Sequence, residues 1–170
     1  VLAVAGLGYA GIQKKKAAEA ASAKATEEAD DSNTVTWQGK TYKYNQNLSN
    51  YLLLGVDKRT PAETRVGKAD AGQADALFLL SLNRKTKEMT LISIPRDTMT
   101  DVESFDLEGK SLGKSKDHIS LSYGYGDGGA ESCKLTQEAV SNLFYGLPIQ
   151  GYLAMNLDGI PELAKSVGGL

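Results

Sequence analysis

Two uninterrupted apolar runs dominate the chain, Tyr51-Leu52-Leu53-Leu54-Gly55-Val56 and Ala76-Leu77-Phe78-Leu79-Leu80-Ser81-Leu82. Runs that do not alternate predict strands buried on both faces, as in the centre of a layered sheet. The polar turn Asn83-Arg84-Lys85-Thr86-Lys87 leads into Met89–Ile94, a third strand that ends at Pro95, because proline cannot donate to a ladder. So short a turn makes the second and third strands antiparallel. Upstream, Thr34-Val35-Thr36-Trp37 and Thr41-Tyr42-Lys43-Tyr44 alternate around Gln38-Gly39-Lys40, which predicts a β-hairpin and starts the folded part near Val35. Downstream, Leu135, Ala139, Val140, Leu143 and Phe144 share one stripe of a helix over Ala130–Phe144, stopped by Gly146 and Pro148. Gly151–Leu157 predicts a further strand, and Gly159–Ser166 a short helix with Pro161 in its first turn. Strands mixed with covering helices make the fold class α/β: an α-β-α layered sandwich around a central mixed sheet, preceded by the hairpin. No internal repeat is visible.

The first residues differ from the rest. Val1–Ile12 is apolar and uncharged but shorter than the about 20 residues that span a bilayer core, so residues 1–13 are expected to be the end of a longer transmembrane helix, an anchor remnant. Gln13-Lys14-Lys15-Lys16 follows as an interfacial stop, and the Ala-rich residues 14–33 form a stalk with almost nothing large to bury. The chain starts without Met and stops after Val167-Gly168-Gly169-Leu170, in mid-element. It is expected to be a piece of a longer protein whose last residues are at least partly buried.

Composition narrows the chemistry. The 170 residues carry 19 Lys and Arg against 21 Asp and Glu, a net charge of −2, which argues against a broad nucleic-acid-binding face. One cysteine, Cys133, excludes an internal disulfide and makes a cysteine-built zinc site untenable; one histidine, His118, excludes a His-rich metal site. Cys133 is expected to pack as a small apolar residue and His118 to lie at the surface or be satisfied by a partner. What remains is oxygen ligands and arginines.

Those collect at strand ends. Val56 exits into Asp57-Lys58-Arg59, Pro95 into Arg96-Asp97-Thr98, and Asp75 stands just before the second strand. With the second and third strands antiparallel, Asp75 falls beside Arg96 and Asp97; Asp57 joins them if the first strand runs parallel to the third. Carboxylates without His or Cys suit a hard cation such as Mg²⁺, bound through one or two carboxylates plus substrate phosphate oxygens. Arg96 would hold the same phosphate bidentately. The competing reading is that Asp57 and Asp97 cap turns and Arg96 pairs with one of them. Lys58, Arg59, Arg65 and Lys68 flank the loop after the first strand, where a polyanion could be received. Gly124-Tyr125-Gly126-Asp127-Gly128-Gly129 precedes a helix and either offers amides to an anion or serves as a flexible connection; it lacks the Gly-Lys-Ser/Thr ending of a P-loop.

From Asn50 to Leu170 the chain resembles the LytR-CpsA-Psr family. The resemblance is carried by Leu53-Leu54-Gly55-Val56-Asp57, Gly72-Gln73-Ala74-Asp75-Ala76, Ser93-Ile94-Pro95-Arg96-Asp97-Thr98, Tyr123-Gly124-Tyr125-Gly126 and Val167-Gly168-Gly169-Leu170, in that order. It implies that residues 34–170 are the N-terminal part of an extracytoplasmic catalytic domain, tethered to the cell membrane by a single span. It also implies an Mg²⁺-dependent phosphotransferase of cell-wall assembly. Such an enzyme moves an anionic glycopolymer, teichoic acid or capsular polysaccharide, from a polyprenyl-pyrophosphate carrier to peptidoglycan, with pyrophosphate hydrolysis as a side activity. Asp57 and Asp75 match the metal-associated aspartates, Arg96 the arginine on the pyrophosphate, and Asp97 follows it in the same motif. Gln73 stands where better-known members usually carry arginine; an amide donates hydrogen bonds but does not neutralise charge, and Arg59 or Arg65 would compensate. The family's later arginine-rich motif and part of its lipid pocket would lie beyond Leu170. Two other classes compete: a non-catalytic protein that retains polyprenyl-pyrophosphate polymer or wall glycan, and a regulatory membrane protein of envelope assembly.

Overall fold

The computed structural model describes residues 33–58 and 64–169. The expected anchor, all but the last residue of the expected stalk, and Arg59 lie outside the described residues. No helix among the described residues is long and apolar enough to cross a membrane.

The chain divides into two units, Val1–Tyr44 and Asn45–Leu170. The first contains the expected hairpin: β1 (Thr34–Trp37) pairs antiparallel with β2 (Lys40–Lys43), with Thr34 opposite Lys43 and Trp37 opposite Lys40. Gln38 and Gly39 turn the chain at φ of 49° and 73°, the double positive φ of the hairpin turn that follows strand twist.

The second unit is built on four strands, β3 (Leu48–Val56), β4 (Ala74–Asn83), β5 (Met89–Ile94) and β8 (Gly151–Asn156), in the order β5-β4-β3-β8. The pairs β3–β4 and β4–β5 are antiparallel while β3–β8 is parallel, so the central sheet is mixed, as expected. Asn50, 4% exposed, fixes the entry of β8: its side-chain amide donates to the Pro148 carbonyl at 2.8 Å, and its own carbonyl accepts from the Gln150 N–H at 2.8 Å. A buried amide with its partners satisfied specifies one register where apolar residues alone would permit slippage.

Between β5 and β8 the chain forms a two-stranded ribbon, β6 (Met99–Phe105) with β7 (Ser111–His118), then a single turn α1 (Leu121–Gly124) and the helix α2 (Ala130–Leu143); α3 (Gly159–Ser166) follows β8. One face of the sheet carries the core. Leu52, Leu54 and Val56 face Leu79, Leu77 and Ala74, with Ile94 beside Leu77, and all are buried. Cys133, Ala139 and Val140 of α2, together with Ile119, Tyr123 and Val102, join the same cluster. Burying each large aliphatic side chain stabilises by about 1.5–3 kcal/mol.

Three expectations change here. The apolar runs predict strands covered on both faces, yet among the described residues only the α2 face is closed: Tyr51, Leu91 and Leu153 on the other are 40%, 57% and 65% exposed. The buried stripe of α2 is Ser132, Cys133, Thr136, Ala139 and Val140, and Leu135 lies outside it. Small hydroxyl residues win because α1 packs closely there, with the Ser122 hydroxyl 3.2 Å from that of Thr136 and Thr136 donating to the Ser132 carbonyl at 2.9 Å. Finally, Val167, Gly168 and Gly169 are exposed rather than partly buried, since α3 has no fully buried residue to draw them in.

Candidate functional site

The sheet topology decides which polar residues meet. β3, β5 and β8 run one way and β4 the other, so the C-terminal ends of the three and the N-terminal end of β4 share one edge. Asp57, Asp75, Arg96 and Asp97 all emerge there. Backbone hydrogen bonds brace this edge from behind: Ser120, 2% exposed, donates its N–H to the Arg96 carbonyl at 3.2 Å and accepts from the Ala74 N–H at 3.3 Å. Thr98 donates to the Pro95 carbonyl at 3.0 Å and accepts from Ile119 at 2.9 Å, so the exit that carries Arg96 is a stiff turn.

At the front, the Asp57 N–H donates to the Gln73 carbonyl at 3.1 Å, and the Gln73 N–H donates to Asp57 Oδ1 at 2.8 Å. Gly72 makes this approach feasible: its φ is +98°, and a Cβ there would stand 2.9 Å from Asp57 Oδ1. Arg96 lies between two acceptors. Its Nη1 donates to Asp75 Oδ1 and its Nη2 to the Gln73 side-chain oxygen at 3.2 Å, while its Nε is 3.7 Å from Asp97 Oδ1. Gln73, expected to donate toward a phosphate, therefore accepts from Arg96.

Asp57 and Asp75 line one cleft of about 520 Å³, walled by Gly55, Ala76, Met155 and Ile160. Two carboxylates in an open cleft are oxygen donors of the kind that would suit Mg²⁺, which is held through one or two carboxylates. Among the described residues no group of three His, Cys, Asp or Glu side chains gathers into a metal cage.

Other candidates separate clearly. Arg65 is exposed in the loop between β3 and β4, its carbonyl accepting from the Lys68 N–H at 3.2 Å; Arg59 lies outside the described residues. The Lys58 ammonium donates to the Asp70 carbonyl. The glycine-rich stretch is neither an anion site nor a loose connection. Asp127 Oδ1 already accepts from the N–H groups of Gly129, Glu131 and Ser132 at 2.8, 3.1 and 3.3 Å, filling the start of α2 with the protein's own carboxylate. The Tyr125 and Gly124 carbonyls accept from Gly67 and Ala71, which ties the stretch to the β3–β4 loop. Partial burial pushes Asp127 up, but its backbone donors outweigh this and hold its carboxyl below the usual range. Burial, with Asp127 nearby, pushes the Cys133 thiol up to about 11, so it stays protonated and is no nucleophile at neutral pH. Burial, then the Cys133 and Asp127 charges, raises Tyr123 to about 12; its hydroxyl donates to the Gly128 carbonyl at 3.0 Å.

His118 has a partner, as expected, and that partner is Asp97 at the site. It ends β7, half exposed, with Nδ1 3.4 Å from Asp97 Oδ1. Its place beside Asp97 follows from the β6–β7 pairing that sets it opposite Met99, which hydrophobicity does not reveal.

Comparison with known proteins adds an independent line. A model described as the LytR_cpsA_psr family matches residues 9–170. A relative from Bacillus licheniformis, "Polyisoprenyl-teichoic acid--peptidoglycan teichoic acid transferase TagU", is 32% identical over 120 residues, covering 70% of this chain and 32% of that protein. A protein of the same name from Bacillus cereus strain AH820 is 30% identical over 151 residues, covering 82% of this chain and 43% of that protein. Among solved structures, "Crystal structure of B. subtilis TagV" is similar with a TM-score of 0.51 at 28% identity, covering 74% of this chain and 42% of that one. The chain thus spans well under half the length of these relatives.

Proposed function

The chain belongs to the LytR-CpsA-Psr family, and from that premise we propose that the full-length protein transfers an anionic glycopolymer, teichoic acid or capsular polysaccharide, from a polyprenyl-pyrophosphate carrier to peptidoglycan. The observation that carries the reading is the convergence of Asp57, Asp75 and Arg96 from three strands on one edge, beside a cleft with apolar walls. A pyrophosphate needs cationic and metal-bridged contacts on its oxygens; a polyprenyl chain needs an apolar wall. The TagU relatives, whose name specifies polyisoprenyl-teichoic acid and peptidoglycan, support the same substrates. The reading places the domain on the outer side of the cell membrane, held by the anchor expected at residues 1–13.

In this reaction an acceptor hydroxyl oxygen of peptidoglycan forms a bond to the sugar-linked phosphorus, and the bond from that phosphorus to polyprenyl phosphate breaks. Asp57 and Asp75 would hold Mg²⁺, which neutralises charge on the pyrophosphate when bound. Arg96 presents a planar donor set to phosphoryl oxygens and stabilises the charge that passes to the leaving group. Arg65, exposed between β3 and β4, would add a cation toward the polymer, as would Arg59. With two carboxylates assigned to the metal, Asp97 is the one left beside Arg96 to accept the hydroxyl proton. Water in place of the hydroxyl gives pyrophosphate hydrolysis as a side reaction.

The test is a transfer assay with full-length protein, lipid-linked polymer and peptidoglycan acceptor, run with and without chelator. Asp57→Asn and Asp75→Asn are each expected to abolish Mg²⁺-dependent transfer with little change in thermal stability. Tight retention of the polymer without any turnover would establish the binding-protein reading instead, and neither retention nor turnover would favour a regulatory role.

A further inference from the structure

Residue 73 touches both halves of the site at once. Its main chain exchanges two hydrogen bonds with Asp57, at 3.1 and 2.8 Å, and its side-chain oxygen accepts from Arg96 Nη2 at 3.2 Å. We infer that Gln73 is a positioning residue for Arg96, tying the guanidinium to the same backbone unit that orients Asp57, rather than a ligand of the phosphate. The inference rests on the transferase reading for its consequence, though the geometry stands without it.

Three features carry it. First, the backbone at 73 is fixed, because Ala71 and Ala74 on either side are 2% and 0% exposed and Gly72 turns in the positive-φ region. Second, a guanidinium has only donors, so the amide that meets it must present its oxygen; its orientation follows from chemistry. Third, the contact completes a pair. Asp75 takes Nη1 and Gln73 takes Nη2, so two acceptors on opposite sides of Ala74 set the plane of the guanidinium. The Asp75 pair and the longer 3.7 Å contact from Nε to Asp97 join half-exposed or exposed side chains.

A neutral acceptor has a particular merit at this position. A carboxylate would also orient Arg96 but would add a negative charge where a pyrophosphate must bind, alongside Asp57 and Asp75. A second guanidinium, the group the family resemblance leads one to expect, offers no acceptor at all and repels Arg96. An amide orients the cation and leaves its charge for the substrate.

The experiment uses the full-length protein with geranylgeranyl pyrophosphate and Mg²⁺ as the binding probe, and the ¹⁵Nε relaxation of Arg96 as a readout that needs no ligand. Gln73→Met keeps chain length and removes the acceptor. It is expected to mobilise the Arg96 guanidinium and weaken probe binding about tenfold, the scale of one hydrogen bond to a charged group. In an Arg96→Lys background the same change is expected to cost less than about twofold, because an ammonium cannot use two fixed acceptors in a plane. Gln73→Glu is expected to restore Arg96 order while leaving probe binding weak. Unaltered Arg96 relaxation in Gln73→Met overturns the inference, as does an equal loss of binding in both backgrounds, which would make Gln73 a direct phosphate contact. If the unaltered protein fails to bind the probe while Gln73→Met still loosens Arg96, the transferase reading fails and the positioning role stands.

Discussion

Arg96 concentrates the energetics of the site in one side chain. It leaves a stiff turn after Pro95, is held by Asp75 and Gln73, and is 47% exposed, so its charge is oriented yet accessible. A preorganised donor of this kind contributes about 2–4 kcal/mol to a transition state in which charge develops on oxygen. Arg96→Ala is expected to lower the transfer rate by that amount in full-length protein. Arg96→Lys is expected to fall between it and the wild type, because it keeps the charge and loses the fork. Measured in parallel, thermal stability should shift little, since an exposed ion pair such as that with Asp75 contributes at most about 1 kcal/mol to folding. Parallel losses of stability and rate would instead give Arg96 a structural role.

Among the elements, α2 shows a helix whose start is capped by the chain's own carboxylate. Asp127 supplies the acceptor for three N–H groups at its first turn, and those bonds hold its carboxyl below the usual range. Asp127→Ala is expected to destabilise the domain by about 1 kcal/mol, read by chemical denaturation. The sign with pH follows: a lowered folded-state value makes the contribution fully present above the ordinary Asp range near about 4. It is lost as pH falls through the folded-state value, so the variant and the wild type should converge in acid. This cap also bears on legibility. The strands β3, β4, β5 and β8 and the helices α2 and α3 were readable because apolar runs and periodic stripes mark them. β6 and β7 were not, because Ser111–His118 has a single large apolar residue and Met99–Phe105 interleaves Asp101 and Glu103; the backbone ladder and the burial of Thr100 and Val102 under α2 hold them instead. Likewise, the antiparallel turn placed Asp75 beside Arg96 from sequence alone, whereas the Gln73 contact depends on side-chain rotamers that no spacing encodes.

For the molecule as a whole, the asymmetry of the sheet predicts an asymmetric response to mutation. Leu52 is 0% exposed under α2, and Leu52→Ala is expected to cost about 2–5 kcal/mol through lost transfer energy and a cavity. In a protein of residues 33–169, Leu153→Ala, at 65% exposure on the opposite face, is expected to cost less than about 0.5 kcal/mol, and denaturant midpoints compare the two directly. The strand order also has a bearing on how the domain assembles in time. The meander β3-β4-β5 closes through connections local in sequence, and it alone carries Asp57, Gln73, Asp75 and Arg96. The parallel partner β8 must instead be recruited across a separation of 100 residues, between Asn50 and Gln150. Loop-closure entropy delays such a contact. The meander is therefore expected to condense first and β8 to dock late. A chain made from its N-terminus would then bring Asp57, Gln73, Asp75 and Arg96 together before the strand that widens the sheet beside them has arrived.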